Sequence, residues 1–148
     1  MPYFKKKQSI MPNEYLYSTT GNLFKTYTLS LSAVTDSSVT NSMANLVDSD
    51  TNYFVNKGWV MASITSGEEN GKIGPYDSSA SDGRQTTTNI IGLNDTFADL
   101  TDGDKDVGVL YVGTVNTALL YYEGTLGSPS TTVQDYLRTR NMDITFKT

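Results

Sequence analysis

The chain has 148 residues and a net charge of −5 at neutral pH, with 37% apolar and 18% charged residues, no cysteine and no histidine. That length suffices for one domain with its own core, and the abundance of Ser, Thr, Asn and Gly fits a mainly β chain rich in turns. The missing cysteines exclude a disulfide framework and thiolate chemistry, and the missing histidines remove the commonest metal ligand, general base and pH switch together.

Residues 1–22 follow no sustained period, and Pro2, Pro12 and Gly21 interrupt them. They nevertheless hold Tyr3, Phe4, Tyr15, Leu16 and Tyr17, more aromatics than a disordered tail keeps, so they read as an extended arm that docks on a partner. The Lys5-Lys6-Lys7 run has no apolar stretch behind it and is not read as a signal peptide. Residues 1–30 carry four lysines against Glu14, a net +3, while the other seven basic and fifteen acidic residues leave −8 on the remainder. A basic head on an acidic body predicts two surfaces with different partners.

Residues 27–32, YTLSLS, alternate as a half-buried strand. A polar, turn-rich stretch follows, with a single helical turn permitted at Met43, Leu46 and Val47. Strands are predicted at 59–64 (WVMASI), 88–93 (TNIIGL) and 107–115 (VGVLYVGTV), the last two apolar enough for burial on both faces, and TALLYY at 117–122 is expected to pair nearby. Ser130 or Thr131 can cap a helix whose Val133, Tyr136, Leu137 and Arg140 share a face, and DITFK (143–147) closes as a strand. The expected fold is therefore mainly β (α+β): a compact β-rich domain over 23–148 with one late helix, preceded by the arm.

No catalytic constellation emerges. A serine nucleophile would need a buried lysine as its base, and every lysine lies in a polar context. Asp102, Asp104 and Asp106 alternate like the start of a calcium loop, but the turn glycine is misplaced and Gly113 stands where the bidentate glutamate belongs, so a solvated acidic turn is the reading. Asn94-Asp95-Thr96 is a glycosylation sequon by letters alone. The acidic body argues against nucleic acid, nothing approaches the length of a membrane span, and neither cofactor nor metal is expected.

The polar stretch 71–94, GKIGPYDSSASDGRQTTTNIIGLN, reads as a shaped connector. Gly71 and Gly74 let the chain turn, Pro75 stiffens it and Tyr76 tucks its ring inward. Asp77 and Asp82 cap turns by accepting from following amides, and Gly83 supplies a positive φ. Arg84 is either solvated or one half of an inter-subunit ion pair.

Several pieces in order resemble the head-decoration proteins of tailed bacteriophages, the family of the lambda head protein D: Lys57-Gly58 before a strand, Gly71-Lys72, Pro75-Tyr76-Asp77, Ala80-Ser81-Asp82-Gly83, Gln85, Ile91-Gly92-Leu93, Leu100 to Lys105, Val107 to Val115, and the closing helix and strand over 133–147. The likeness spans about residues 55–148. The stretch 33–54 is longer than the family's connection and reads as an inserted loop, and Asn141 stands where the family often has glycine. The resemblance implies a non-enzymatic protein made in the host cytoplasm and carried on the outer surface of the virion. It implies homotrimers at threefold and quasi-threefold positions that clamp the major capsid protein, with Tyr3, Phe4, Lys5, Lys6, Lys7, Tyr15, Leu16 and Tyr17 on the capsid-binding arm. Leu110, Tyr111, Val112, Leu119, Tyr121 and Tyr122 exceed the apolar needs of one small domain and point the same way, to subunit contacts. The rival reading from the same residues is a carbohydrate-binding or adhesin-like surface module, since ten Tyr and one Trp could build a sugar platform.

Overall fold

The computed structural model describes residues 14–18, 20–35, 53–123, 125–139 and 142–147. They form a mainly β domain with one full-length helix late in the chain, as the patterning predicts. The arm residues 1–13, most of the 33–54 insertion and its helical turn at Met43, Leu46 and Val47 lie outside the described residues.

The strands are β1 (Leu23–Leu29), β2 (Phe54–Val55), β3 (Val60–Ser63), β4 (Ile73–Pro75), β5 (Ile90–Asn94), β6 (Ala98–Asp99), β7 (Lys105–Asn116), β8 (Tyr121–Tyr122), β9 (Thr125–Leu126) and β10 (Asp143–Lys147); the helices are α1 (Leu31–Thr35) and α2 (Thr131–Arg138). The main sheet runs β1-β4-β3-β5-β7-β10, and β1 also pairs with β7. That extra pairing closes β1, β4, β3, β5 and β7 into a five-stranded ring, with closure at β4 resting on the single pair Leu29↔Ile73. The twelve-residue β7 is the spine. On one side it pairs antiparallel with β1 from Lys105 to Val112; on the other it pairs antiparallel with β5 at Val109 and Leu110 and parallel with β10 from Val112 to Asn116.

Alternation sorts the side chains into two cores. Leu29, Trp59, Met61, Ile73, Val107 and Val109, drawn from the ring strands and the approach to β3, fill the inside, joined by Val34 of α1 and by Leu100. Their sequence neighbours Val60, Ala62, Ile90, Leu93 and Leu110 face outward and are covered by Val133 and Leu137 of α2 together with Ile144 and Tyr15. The sheet is thus the middle layer, which explains the near-continuous apolar runs in its central strands. Helix α2 begins where Ser130 Oγ accepts from the Val133 amide at 3.4 Å.

Three boundaries differ from the sequence reading. The strand predicted over 88–93 begins only at Ile90, because Thr87–Asn89 form a 3-10 turn. The alternation of 27–32 breaks after Leu29 because Ser30 caps α1, its Oγ accepting from the Ala33 amide at 3.2 Å while Asp104 Oδ1 accepts from the Leu31 amide at 2.8 Å. Residues 117–122 are a 3-10 turn followed by the two-residue β8 rather than one strand, because the Asn116 side chain accepts from the Ala118 amide and turns the chain.

Candidate functional site

The 71–94 connector holds its shape by the expected devices, with two differences. Gly71 and Gly83 adopt φ of +95° and +110°. Tyr76 is buried and stacks on Tyr122 with centroids 5.8 Å apart. Asp77 Oδ1 accepts from the Ser79 amide, and Asp82 Oδ1 from the Arg84 amide. Arg84 is neither solvated nor available to another subunit. It is 3% exposed, its Nε donates to both Asp82 oxygens at 3.1 Å, and its Nη1 donates to the Pro75 carbonyl at 3.0 Å. Gly74 is a packing residue, not a turn. It sits within β4, and a Cβ there would come within 2.8 Å of both Ala33 and Arg84. The guanidinium therefore pins the connector to β4 from below.

The arm residues divide. Tyr3, Phe4, Lys5, Lys6 and Lys7 lie outside the described residues. Tyr15, placed on the arm by the sequence, is a core residue: it is 0% exposed and its hydroxyl donates to Asp95 Oδ1 at 2.7 Å. Burial, then the Asp95 hydrogen bond, pushes its phenol well above the ordinary value. The Asn116 amide donates to the Tyr15 carbonyl, the Tyr17 amide to the Thr114 carbonyl, and Leu16 bridges Val115 between them. Residues 15–17 and β1 thus run as one interrupted strap down the same side of β7. The physical reason is that an unperiodic segment with large rings gains more by burying one against an apolar sheet face than by leaving it in water.

The strap leaves an apolar surface. Tyr17, Leu23 and Phe24 are three of the four large apolar side chains exposed among the described residues, Leu126 being the fourth. Tyr17 stands beside Thr114 and Leu23 opposite Val112, so they gather at one end of β7. An extra residue on β7, Tyr111, bulges between the Leu23 and Phe24 pairings, and Lys25 Nζ lies 4.7 Å above its ring. The β1 edge facing β4 has a ladder partner only at Leu29 among the described residues, leaving 23–28 open. Of the residues expected at subunit contacts, Leu110 is buried, while Tyr111, Val112, Leu119, Tyr121 and Tyr122 are partly buried. Tyr121 stacks on Trp59 at 5.4 Å, Tyr122 stacks on Tyr76, and Tyr111 and Leu119 pack against the outer core.

The acidic turn is tied down on one side. Lys72 Nζ donates to Asp104 Oδ2 at 2.7 Å and to Glu69 Oε2 at 3.0 Å, and Ser30 Oγ donates to Glu69 Oε1 at 2.7 Å. The Ser30 and Lys72 bonds hold the Glu69 carboxyl below its ordinary 4.5, the Lys72 and Leu31 bonds hold Asp104 below 3.8, and the two carboxylates hold Lys72 above 10.5. The stabilisation from the acids is therefore complete above their ordinary values and lost as pH falls through the lowered ones, while that from Lys72 is lost only as pH rises past 10.5. Lys72→Met should lower the urea midpoint at pH 6–7, with the two curves converging below about pH 4. A constant separation down to pH 3 would place its cause elsewhere.

Among the described residues no three acidic side chains are grouped to hold a metal ion, and no helix is long and apolar enough to cross a membrane. Asn94 of the sequon is 0% exposed and its amide donates to the Asn56 and Thr96 carbonyls, so it is a structural bracket closed to glycosylation. Compared with known proteins, the chain matches no family model, no curated protein and no solved structure.

Proposed function

We propose that this chain is a capsid decoration protein of a tailed bacteriophage. It binds as homotrimers on the outer surface of the expanded head, at threefold and quasi-threefold positions, and holds major capsid subunits together against packaged DNA. It acts by binding and performs no reaction. The motif order over about residues 55–148 supports the class. The observation that carries the binding role is the strap: a segment locked to β7 through Tyr15, flanked by exposed Tyr17, Leu23 and Phe24 and an open strand edge, and continuous with the aromatic, lysine-bearing residues 1–13. An open edge offers main-chain groups to an extended partner segment, and apolar side chains beside it fill pockets on that partner. A site present only on the expanded lattice selects that state by mass action.

The arm can be tested without harming the domain because Tyr15, and not the arm before it, belongs to the core. Deleting residues 2–13 should weaken binding to expanded, undecorated heads more than tenfold, about 1.4 kcal/mol, with the unfolding midpoint unchanged. A change within about threefold, near 0.7 kcal/mol, would remove the arm from the clamp. Tyr17→Ala with Phe24→Ala should speed release equally at low and high salt, since buried apolar area is not screened.

A further inference from the structure

The basic head calls for an acidic partner, and the domain itself carries a seat of the right chemistry. A cleft of about 160 Å³ opens between α1, the 64–69 turn and the Asp82–Arg84 corner. Its floor is apolar, with Ala33 and Ile64 almost fully buried beside Gly67. Its charged groups are mostly committed: Arg84 to Asp82 and Pro75, Glu69 to Ser30 and Lys72. Glu68 is the exception. Its carboxylate stands exposed at the mouth with no hydrogen-bond or ion-pair partner among the described residues. A slot with an apolar floor and a free carboxylate at its lip fits a lysine, whose methylene stem covers the floor while the ammonium stays at the wet rim. The carboxylates of Glu68, Glu69 and Asp82 around it disfavour an anion.

We propose that this cleft receives a lysine from the Lys5–Lys7 run of a second copy of the chain. Charge favours it: that run is three consecutive lysines in a segment, residues 1–30, of net charge +3, against −8 on the rest. Reach favours a second copy over the same chain. Tyr15 docks beside Asn116 at one end of β7, whereas Glu69 meets Lys72 and Asp104 at the other. The strand between them spans about 36 Å, and even the ten residues from Lys5 to Tyr15 cover only about 33–36 Å drawn straight, so the same chain reaches the cleft only with that whole segment stretched, whereas a second copy meets no such limit. The contact does not rest on the capsid reading and forms in the free protein.

The absence of native cysteine makes the test clean. Full-length Lys6→Cys and Glu68→Cys chains, mixed at equal concentration without heads and mildly oxidised, should give a linked pair of twice the 16.2 kDa monomer mass. Its yield should be at least tenfold above that of Lys6→Cys mixed with Thr145→Cys, on exposed β10. It should fall severalfold on going from low salt to 0.5 M, where charge attraction is screened within a few ångströms. Linking equal to the Thr145 control would overturn the proposal, as would a link that forms only within one doubly substituted chain. Head binding is measured separately, so the loss of either contact leaves the other standing.

Discussion

Replacing Tyr15 by Ala should cost about 3–5 kcal/mol of folding free energy, the range for deleting a fully buried aromatic. The ring is 0% exposed and sits in the outer core with Leu110, Val115 and Leu137. Its loss removes apolar burial, leaves a hole beneath α2, and strips Asp95 of its hydroxyl donor. Tyr15→Phe keeps the packing and removes only that hydrogen bond, so it should cost about 1–3 kcal/mol. Urea unfolding of the two variants separates packing from polar contributions. If Tyr15→Ala unfolds within 1 kcal/mol of the parent protein, the strap is not part of the core. The result also bears on the proposed decoration role, which requires the arm to be firmly attached to the body that resists load.

Gly92→Ala should be similarly severe, about 2–6 kcal/mol, from two separate causes. The first is conformational: φ is +144°, a region side chains rarely adopt, at about 1–3 kcal/mol. The second is steric. A Cβ there would overlap the Leu110 carbonyl oxygen and approach Val109 Cγ1 to 2.8 Å, and overpacking adds about 1–3 kcal/mol. Gly92 sits where the β3–β5 register shifts, Met61 facing Gly92 and Ala62 facing Ile90. The extra residue, Ile91, packs against the inner core. A loss below 1 kcal/mol in the same urea experiment would mean that β5 re-registers without the bulge.

The long strands were legible because burial on both faces of a middle layer leaves a strong signal, as in 107–115. The two- and three-residue strands β2, β4 and β6 were not: no period can be read from Phe54-Val55 or Ala98-Asp99, and Pro75 reads as a breaker although it ends β4 opposite Met61. The parallel pairing of β10 with β7 joins residues about thirty positions apart, and nothing local encodes it. Helix α2 and its Ser130 cap were readable because capping and helical spacing are local rules. Arg84 misled because a charged residue in a polar loop reads as solvated. Its burial depends on Asp82 two residues before it and on the bare backbone of Gly74, which only the fold brings together. Tyr15 was recognised as belonging with a partner surface, yet that surface is the chain's own β7. The signal that could have placed it is the distance from the lysine run: the aromatics at 15–17 lie five residues before β1, whose direction they continue.

Under the proposed decoration role, the closed ring of strands, its α2 cover and the pinned 71–94 connector supply rigidity, and the strap with its arm supplies attachment. Rigidity matters because a clamp transmits load only if its body does not yield. The pinning by Arg84 and the twofold burial of the sheet provide this without disulfides, and the apolar end of β1 is left as surface. The most direct measurement of the proposed decoration role is electron microscopy of tailed-phage heads, before and after expansion, from a phage whose genome carries this sequence, incubated with purified protein. Density should appear on the outer surface at threefold and quasi-threefold positions of expanded heads only, with three copies per protrusion. Expanded heads that stay bare, or protein spread equally over both states with no fixed position, would contradict the decoration function.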